Sequence, residues 1–179
     1  NGKEAMVCNA EEAMCMGGIY GGLDSGVSEK TTDVLLESAY FDPVVIRKGA
    51  KYHTLKTDAS FRYERGADPN ITLYALKRAA LLIKEVAGGK ISSEIVDVYP
   101  EPILPKRIEL SFERMDSLIG KKLDRDMVKE ILTNLNIETI CNEEGLTAVI
   151  PTNKVDVTRE CDLIEEILRI YGYNNVEIS

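Results

Sequence analysis

Between residues 99 and 105 the chain reads YPEPILP, with prolines at 100, 102 and 105. This feature constrains the fold most. Proline lacks a backbone N–H and holds φ near one value, so neither a helix nor a central strand runs through such a stretch. The chain is therefore read as two modules, residues 1–98 and 106–179, joined by a linker over 99–105. With 179 residues and 44% apolar content, each side has the length and composition for a small core of its own. The patterns on both sides mix helices with short strands, so the fold class is α+β, a mixed α/β arrangement.

In the first module, EAMVCN and EAMCMGGIYGG are apolar runs separated by the turn-like triplet Asn9-Ala10-Glu11, and they read as a strand pair. The glycines at 17, 18, 21 and 22 follow neither the dinucleotide-binding nor the P-loop spacing. TTDVLLESAYF reads as a buried strand with Glu37 inside its apolar run. DPVVIRKGAKY opens with Asp at an N-cap and Pro at the first helical position. Asp68-Pro69 repeats that start signal. From there Leu73, Leu76, Ala80, Ile83 and Ala87 recur at helical spacing until Gly88-Gly89 stops the helix. KISSEIVDVY reads as a further strand.

The second module predicts a strand over RIELSF, a short helix over about 112–118, and a helix over DRDMVKEILTNLN with Met127, Ile131 and Leu135 as its apolar stripe. A hairpin from IETICNEEG and LTAVIPT follows, then a closing helix over about 158–171. Short helices, a hairpin and a closing helix give a winged-helix-like layout.

The net charge of −8 opposes the phosphate neutralisation that supplies much of a duplex binder's affinity. No basic run of five residues occurs, and the absence of Trp argues against a base-stacking platform. No run of eighteen apolar residues is present, so no transmembrane helix is expected. No secretory signal is read at the start. The chain lacks an initiator Met and begins at a strand-like run, so it reads as a piece of something larger. The four cysteines, at 8, 15, 141 and 161, lack zinc-site spacing. Each has apolar neighbours, and buried free thiols in a reducing compartment are expected.

Three places gather chemistry. HTLKTDASFRYERGADP, residues 53–69, holds the one histidine. A triad of Ser60, His53 and Asp58 can be composed there, but no nucleophile-elbow motif supports it. The alternatives are a loop packed around a small polar ligand and a solvated connection. Glu37, inside an apolar run, is either a buried acid that needs a hydrogen-bonding partner or an edge-strand side chain turned to water. Asp162, Glu165 and Glu166 lie at i, i+3 and i+4 on one helix face, with Asp156 just before the helix. They read either as a set of hard oxygen ligands suited to Mg²⁺ or as a solvated acidic face that complements the helix dipole.

GGIYGGLDSGV, VLLESAYFDPVVIRKGAKYHTLKTDASFRYERGADP and EEILRIYGYNNV, in this order, resemble the β chain of bacterial phenylalanyl-tRNA synthetase. The resemblance spans essentially the whole chain. It implies a partial editing domain followed by a small winged-helix-like domain, from a cytoplasmic (αβ)₂ enzyme that joins Phe to tRNA(Phe) with ATP and Mg²⁺. ATP use and the synthetic site are then expected on the α chain, and hydrolysis of mischarged Tyr-tRNA on this one. Matched position by position, Glu37 is the acid expected to receive the tyrosine phenol. Gly21 is where a bulky side chain would block the pocket, while Thr57 and Ala59 line it. The resemblance also implies that Asp156, Asp162, Glu165 and Glu166 hold Mg²⁺ at a site shared with the α chain. No catalytic group is assigned, since the family's groups near the ester come from an earlier segment. The rival expectation is a non-catalytic module that docks the α chain and tRNA. A free-standing nucleic-acid-binding module is disfavoured by the charge.

Overall fold

The computed structural model describes residues 4–176. The chain splits into two compact units, Asn1–Glu101 and Pro102–Ser179.

In the first unit, β1 (Met6–Cys8) and β2 (Ala13–Met16) pair antiparallel. Their turn is closed by the Asn9 side chain, whose oxygen accepts from the N–H groups of Glu11 and Glu12. Helix α1 (Pro43–Tyr52) starts as its sequence predicts: Asp42 accepts from the N–H groups of Val44 and Val45, and Pro43 holds the first position. Helix α2 (Asp58–Tyr63) is capped by Thr57. A 3₁₀ turn at Pro69–Ile71 leads into α3 (Thr72–Ala87), which ends at Gly88 with φ +77°.

The core of this unit is small. Ile19, Ile46 and Ala50 are buried, with Met16, Phe41, Leu55 and Tyr63 packed around them. Helix α3 fully buries none of its residues; Leu76 and Ala80 of its predicted apolar stripe are half-buried and, with Ile83, face residues 34–36 and 91–96 across a cavity. Two strand expectations are corrected. Neither TTDVLLESAYF nor KISSEIVDVY forms a strand, and Leu35 is 97% exposed. An apolar, β-prone run becomes a strand only when a neighbouring strand accepts and donates its backbone hydrogen bonds. Among the described residues no such neighbour pairs with either run.

The second unit follows its predicted order: β3 (Lys106–Ser111), α4 (Phe112–Ile119), α5 (Arg125–Asn134), β4 (Glu138–Cys141), β5 (Gly145–Ile150) and α6 (Glu160–Tyr171). The strands form one antiparallel sheet in the order β3-β5-β4. Alternation along the strands turns Ile108, Leu110, Leu146, Ala148 and Ile150 inward against Met115, Leu132 and Leu163. The buried line of α5 is Val128, Ile131 and Leu132, while Met127 and Leu135 are only partly buried. The inward face is therefore rotated from the stripe the spacing predicts, because three helices and a sheet share one core. Arg125 clamps α4 to α5: it donates to both carboxylate oxygens of Asp116, and its guanidinium lies 4.5 Å from the Phe112 ring centroid.

The cysteine expectation is corrected as well. Cys8, Cys141 and Cys161 are exposed and Cys15 is half-buried, all as free thiols. Apolar neighbours in sequence do not bury a residue on a strand or helix, because adjacent side chains point to different faces. No helix of the described residues is long and apolar enough to cross a membrane.

Candidate functional site

The first unit holds an open cleft of about 480 Å³, within the ordinary range for small-molecule sites. Its floor is the glycine turn that follows β2. Gly18 sits at φ +67°, and a Cβ there would come within 2.8 Å of Phe41 and 2.9 Å of Ile46. A Cβ at Gly22 would stand 1.8 Å from the Met14 carbonyl oxygen, whereas one at Gly21 would meet nothing within 4 Å. Gly21 thus faces open space, and glycine there keeps the cleft wide.

Thr57 joins this turn to α2. Its hydroxyl donates to the Ile19 carbonyl at 2.6 Å and accepts from the Ser60 N–H at 3.0 Å. Ser60 Oγ in turn accepts from the Thr57 N–H at 3.0 Å, which completes a reciprocal cap. This arrangement excludes the paper triad. Ser60 is 3% exposed and committed to the cap, and His53 Nε2 is paired with Glu4 Oε1 at 2.9 Å.

Gly21, Glu37, Thr57 and Ala59 all line this one cleft, and Phe41 and Tyr63 form an aromatic side. The two rings meet edge-on at 5.1 Å between centroids. Sequence reasoning missed Phe41 and Tyr63, which have no motif of their own. The signal was available in Gly18, whose lack of a Cβ makes room for both rings. Glu37 is exposed, so its carboxylate is neither a buried acid nor on an edge strand. Burial first, and then the charge of Glu37, push the Tyr63 phenol above its ordinary value.

The acidic set behaves differently. Asp162 accepts from the Thr158 N–H, the Thr158 hydroxyl and the Arg159 N–H at 2.9–3.0 Å, and pairs with the Arg159 guanidinium at 3.0 Å. Glu166 pairs with Lys154 at 3.0 Å and Arg169 at 2.8 Å. Asp156 and Glu165 are exposed. Among the described residues no group of three or more His, Cys, Asp or Glu side chains is placed to hold a metal ion. Within this chain alone, Asp156, Asp162, Glu165 and Glu166 therefore do not gather on one point. Spacing aligns the backbone positions on one face, but local cations and cap N–H groups claim the carboxylates first. The four carboxylates are hard oxygen donors of the kind Mg²⁺ takes, and a cation there would compete with Lys154, Arg159 and Arg169 for Asp162 and Glu166.

These contacts set a pH dependence. The hydrogen bond from Arg159 leads in holding the Asp162 carboxyl well below the usual carboxylate range, and that from Arg125 leads in lowering the Asp116 carboxyl. Burial of Glu166 opposes its ionisation, but Lys154 and Arg169 outweigh it and lower that carboxyl too. Folded values below unfolded ones give stability that is present above about pH 4 and lost as pH falls through the folded values. The melting temperature of the second unit is expected to be flat from about pH 7 to 5 and to fall below about pH 4. A melt series unchanged down to about pH 2 would show that these pairs contribute nothing.

Comparison with known proteins identifies the kind of chain that carries this fold and cleft. Residues 1–88 match the B3/4 domain, and residues 108–173 match the tRNA synthetase B5 domain. The two modules in this order define a segment of a tRNA synthetase chain. Over 99% of its length the chain is 56% identical to the phenylalanine–tRNA ligase β subunit of Bacteroides fragilis. It is 49% identical over 99% of its length to that of Porphyromonas gingivalis, and 42% identical over 98% to that of Thermotoga maritima. The chain belongs to the family of phenylalanine–tRNA ligase β subunits. It spans 22% of the length of each of these relatives.

Proposed function

We propose that this segment supplies the amino-acid-selecting wall of an editing site, which hydrolyses tyrosine wrongly esterified to tRNA(Phe). One observation carries the reading. Gly21, Glu37, Thr57 and Ala59, drawn from three separate stretches of sequence and singled out by family resemblance, line a single cleft of amino-acid dimensions. The chemistry supplies the motive. Phenylalanine and tyrosine differ by one hydroxyl, and an apolar synthetic pocket rejects an added hydroxyl by only about 10²-fold. A second site with an acceptor for that hydroxyl reverses the preference. Once bound substrate shuts water out of the cleft, the Glu37 carboxylate accepts the phenol O–H, and a phenylalanine side chain would leave it unpaired at about 1–3 kcal/mol. Ala59 and Gly21 leave room for the ring.

The hydrolysis itself needs water at the ester carbonyl and a proton for the departing ribose hydroxyl. No residue of this chain is assigned either task. In this reading residues 1–98 belong to the editing module and 106–179 to the small module, with 99–105 between them. The parent enzyme is an (αβ)₂ tetramer in the cytoplasm, with ATP-dependent synthesis on the α chain. The exposed Tyr74, Leu81 and Val86 of α3 favour a second role in docking other parts of that assembly.

The test is Glu37→Ala in the full-length β subunit assembled with its α partner. Clearance of Tyr-tRNA(Phe) is expected to fall about 10- to 100-fold, with Phe-tRNA(Phe) little changed. Equal clearance of Tyr-tRNA by variant and wild type would overturn the reading.

A further inference from the structure

Glu37 sits in a stretch that lacks regular structure, yet the backbone on its C-terminal side is fixed at successive residues. The Ser38 hydroxyl donates to the Thr72 carbonyl at 2.8 Å, which ties the stretch to the start of α3. The Tyr63 hydroxyl donates to the Ala39 carbonyl at 3.2 Å, which ties it to the end of α2. Phe41, two residues further on, packs edge-on against the same Tyr63 ring. Ser38, Ala39 and Tyr63 are all partly buried, whereas the residues just before Leu36 are exposed. One side chain of the strandless segment and one from α2 therefore fasten it, to the start of α3 and to the end of α2, immediately beside Glu37.

We infer that Ser38 and Tyr63 are positioning residues that aim the Glu37 carboxylate into the cleft. The inference rests on the editing reading proposed above. In a strand, the sheet's hydrogen-bond ladder would set the direction of a side chain. Here no ladder reaches residue 37 among the described residues, so the side-chain tethers do that work. A site that separates two amino acids by one hydrogen bond needs its acceptor held to within about half an ångström. A loosened tether lets the carboxylate swing into water, where it no longer distinguishes a phenol from a phenyl ring. The effect of Glu37's charge on Tyr63 places the two side chains in the same electrostatic neighbourhood.

The experiment measures deacylation of Tyr-tRNA(Phe) and Phe-tRNA(Phe) by the full-length subunit assembled with its partner. The variants are Tyr63→Phe, Ser38→Ala, Ser38→Thr, Glu37→Ala, and Tyr63→Phe combined with Glu37→Ala. Tyr63→Phe keeps the ring and removes the tether; Ser38→Thr keeps the hydroxyl. Each tether loss is expected to lower the Tyr-to-Phe rate ratio about 3- to 10-fold, and Ser38→Thr to retain it. In the Glu37→Ala background, Tyr63→Phe is expected to change the ratio no further, because it acts through Glu37. If Glu37→Ala collapses the ratio while both tether variants leave it intact, the positioning role is wrong and the editing reading stands. If the tether variants slow both substrates equally, or act equally without Glu37, their role is structural only. If Glu37→Ala leaves the ratio unchanged, the editing reading fails and takes this inference with it.

Discussion

Leu163→Ala is expected to cost the second unit about 2–5 kcal/mol. Leu163 is fully buried on α6, in a core with Leu132, Met115 and the inward residues of β3 and β5. Truncation removes the transfer free energy of the lost carbons and leaves a cavity that helices on one side and a sheet on the other cannot close. Against a typical domain stability of about 5–15 kcal/mol, such a loss reaches a third or more of the total. Urea unfolding should show the midpoint falling with an unchanged slope. Ile170→Ala, on the same helix but 53% exposed, serves as the control and should shift stability by no more than about 0.5 kcal/mol. Equal effects from the two variants would mean that α6 does not pack as described.

The second large effect separates two adjacent glycines. Gly22→Ala is expected to destabilise the glycine turn by about 1–3 kcal/mol. Its Cβ would stand 1.8 Å from the Met14 carbonyl oxygen, so the backbone of the turn must move off β2. Gly21→Ala should leave stability unchanged, since nothing lies within 4 Å of the added carbon, and should only narrow the cleft. Amide exchange provides the readout. Met16 N–H donates to the Tyr20 carbonyl and Tyr20 N–H to that of Met16, both at 3.0 Å. Their protection should drop sharply in Gly22→Ala and persist in Gly21→Ala. Matching protection in the two variants would refute the close approach.

The helices were legible because their signals are local. Asp42-Pro43, Asp68-Pro69 and Asp124 announce starts that the structure honours, with a 3₁₀ turn between Asp68 and α3. Gly88 and Gly120 mark stops at positive φ. The hairpin of β4 and β5 was legible for the same reason: Asn142 closes its turn by accepting from Glu144 and Gly145. The runs around Leu35 and Ile95 were misread, since a strand is a relation between segments and propensity alone cannot supply the partner.

The acids and cysteines show the same limit in side chains. Helical spacing put Asp162, Glu165 and Glu166 on one face, but spacing carries no information about Lys154, Arg159 and Arg169, whose charges hold two of those carboxylates. Sequence alone determined the helix ends, the order of the second unit and, through family resemblance, which residues to watch. Only the tertiary structure brought Gly21, Glu37, Thr57 and Ala59 to one cleft, buried Ser60 in a cap, and placed Phe41 and Tyr63 beside them. The physical reason is range. Caps and turns are decided within a few residues of chain, whereas a cleft is made by segments that meet only when a shared core pulls them together.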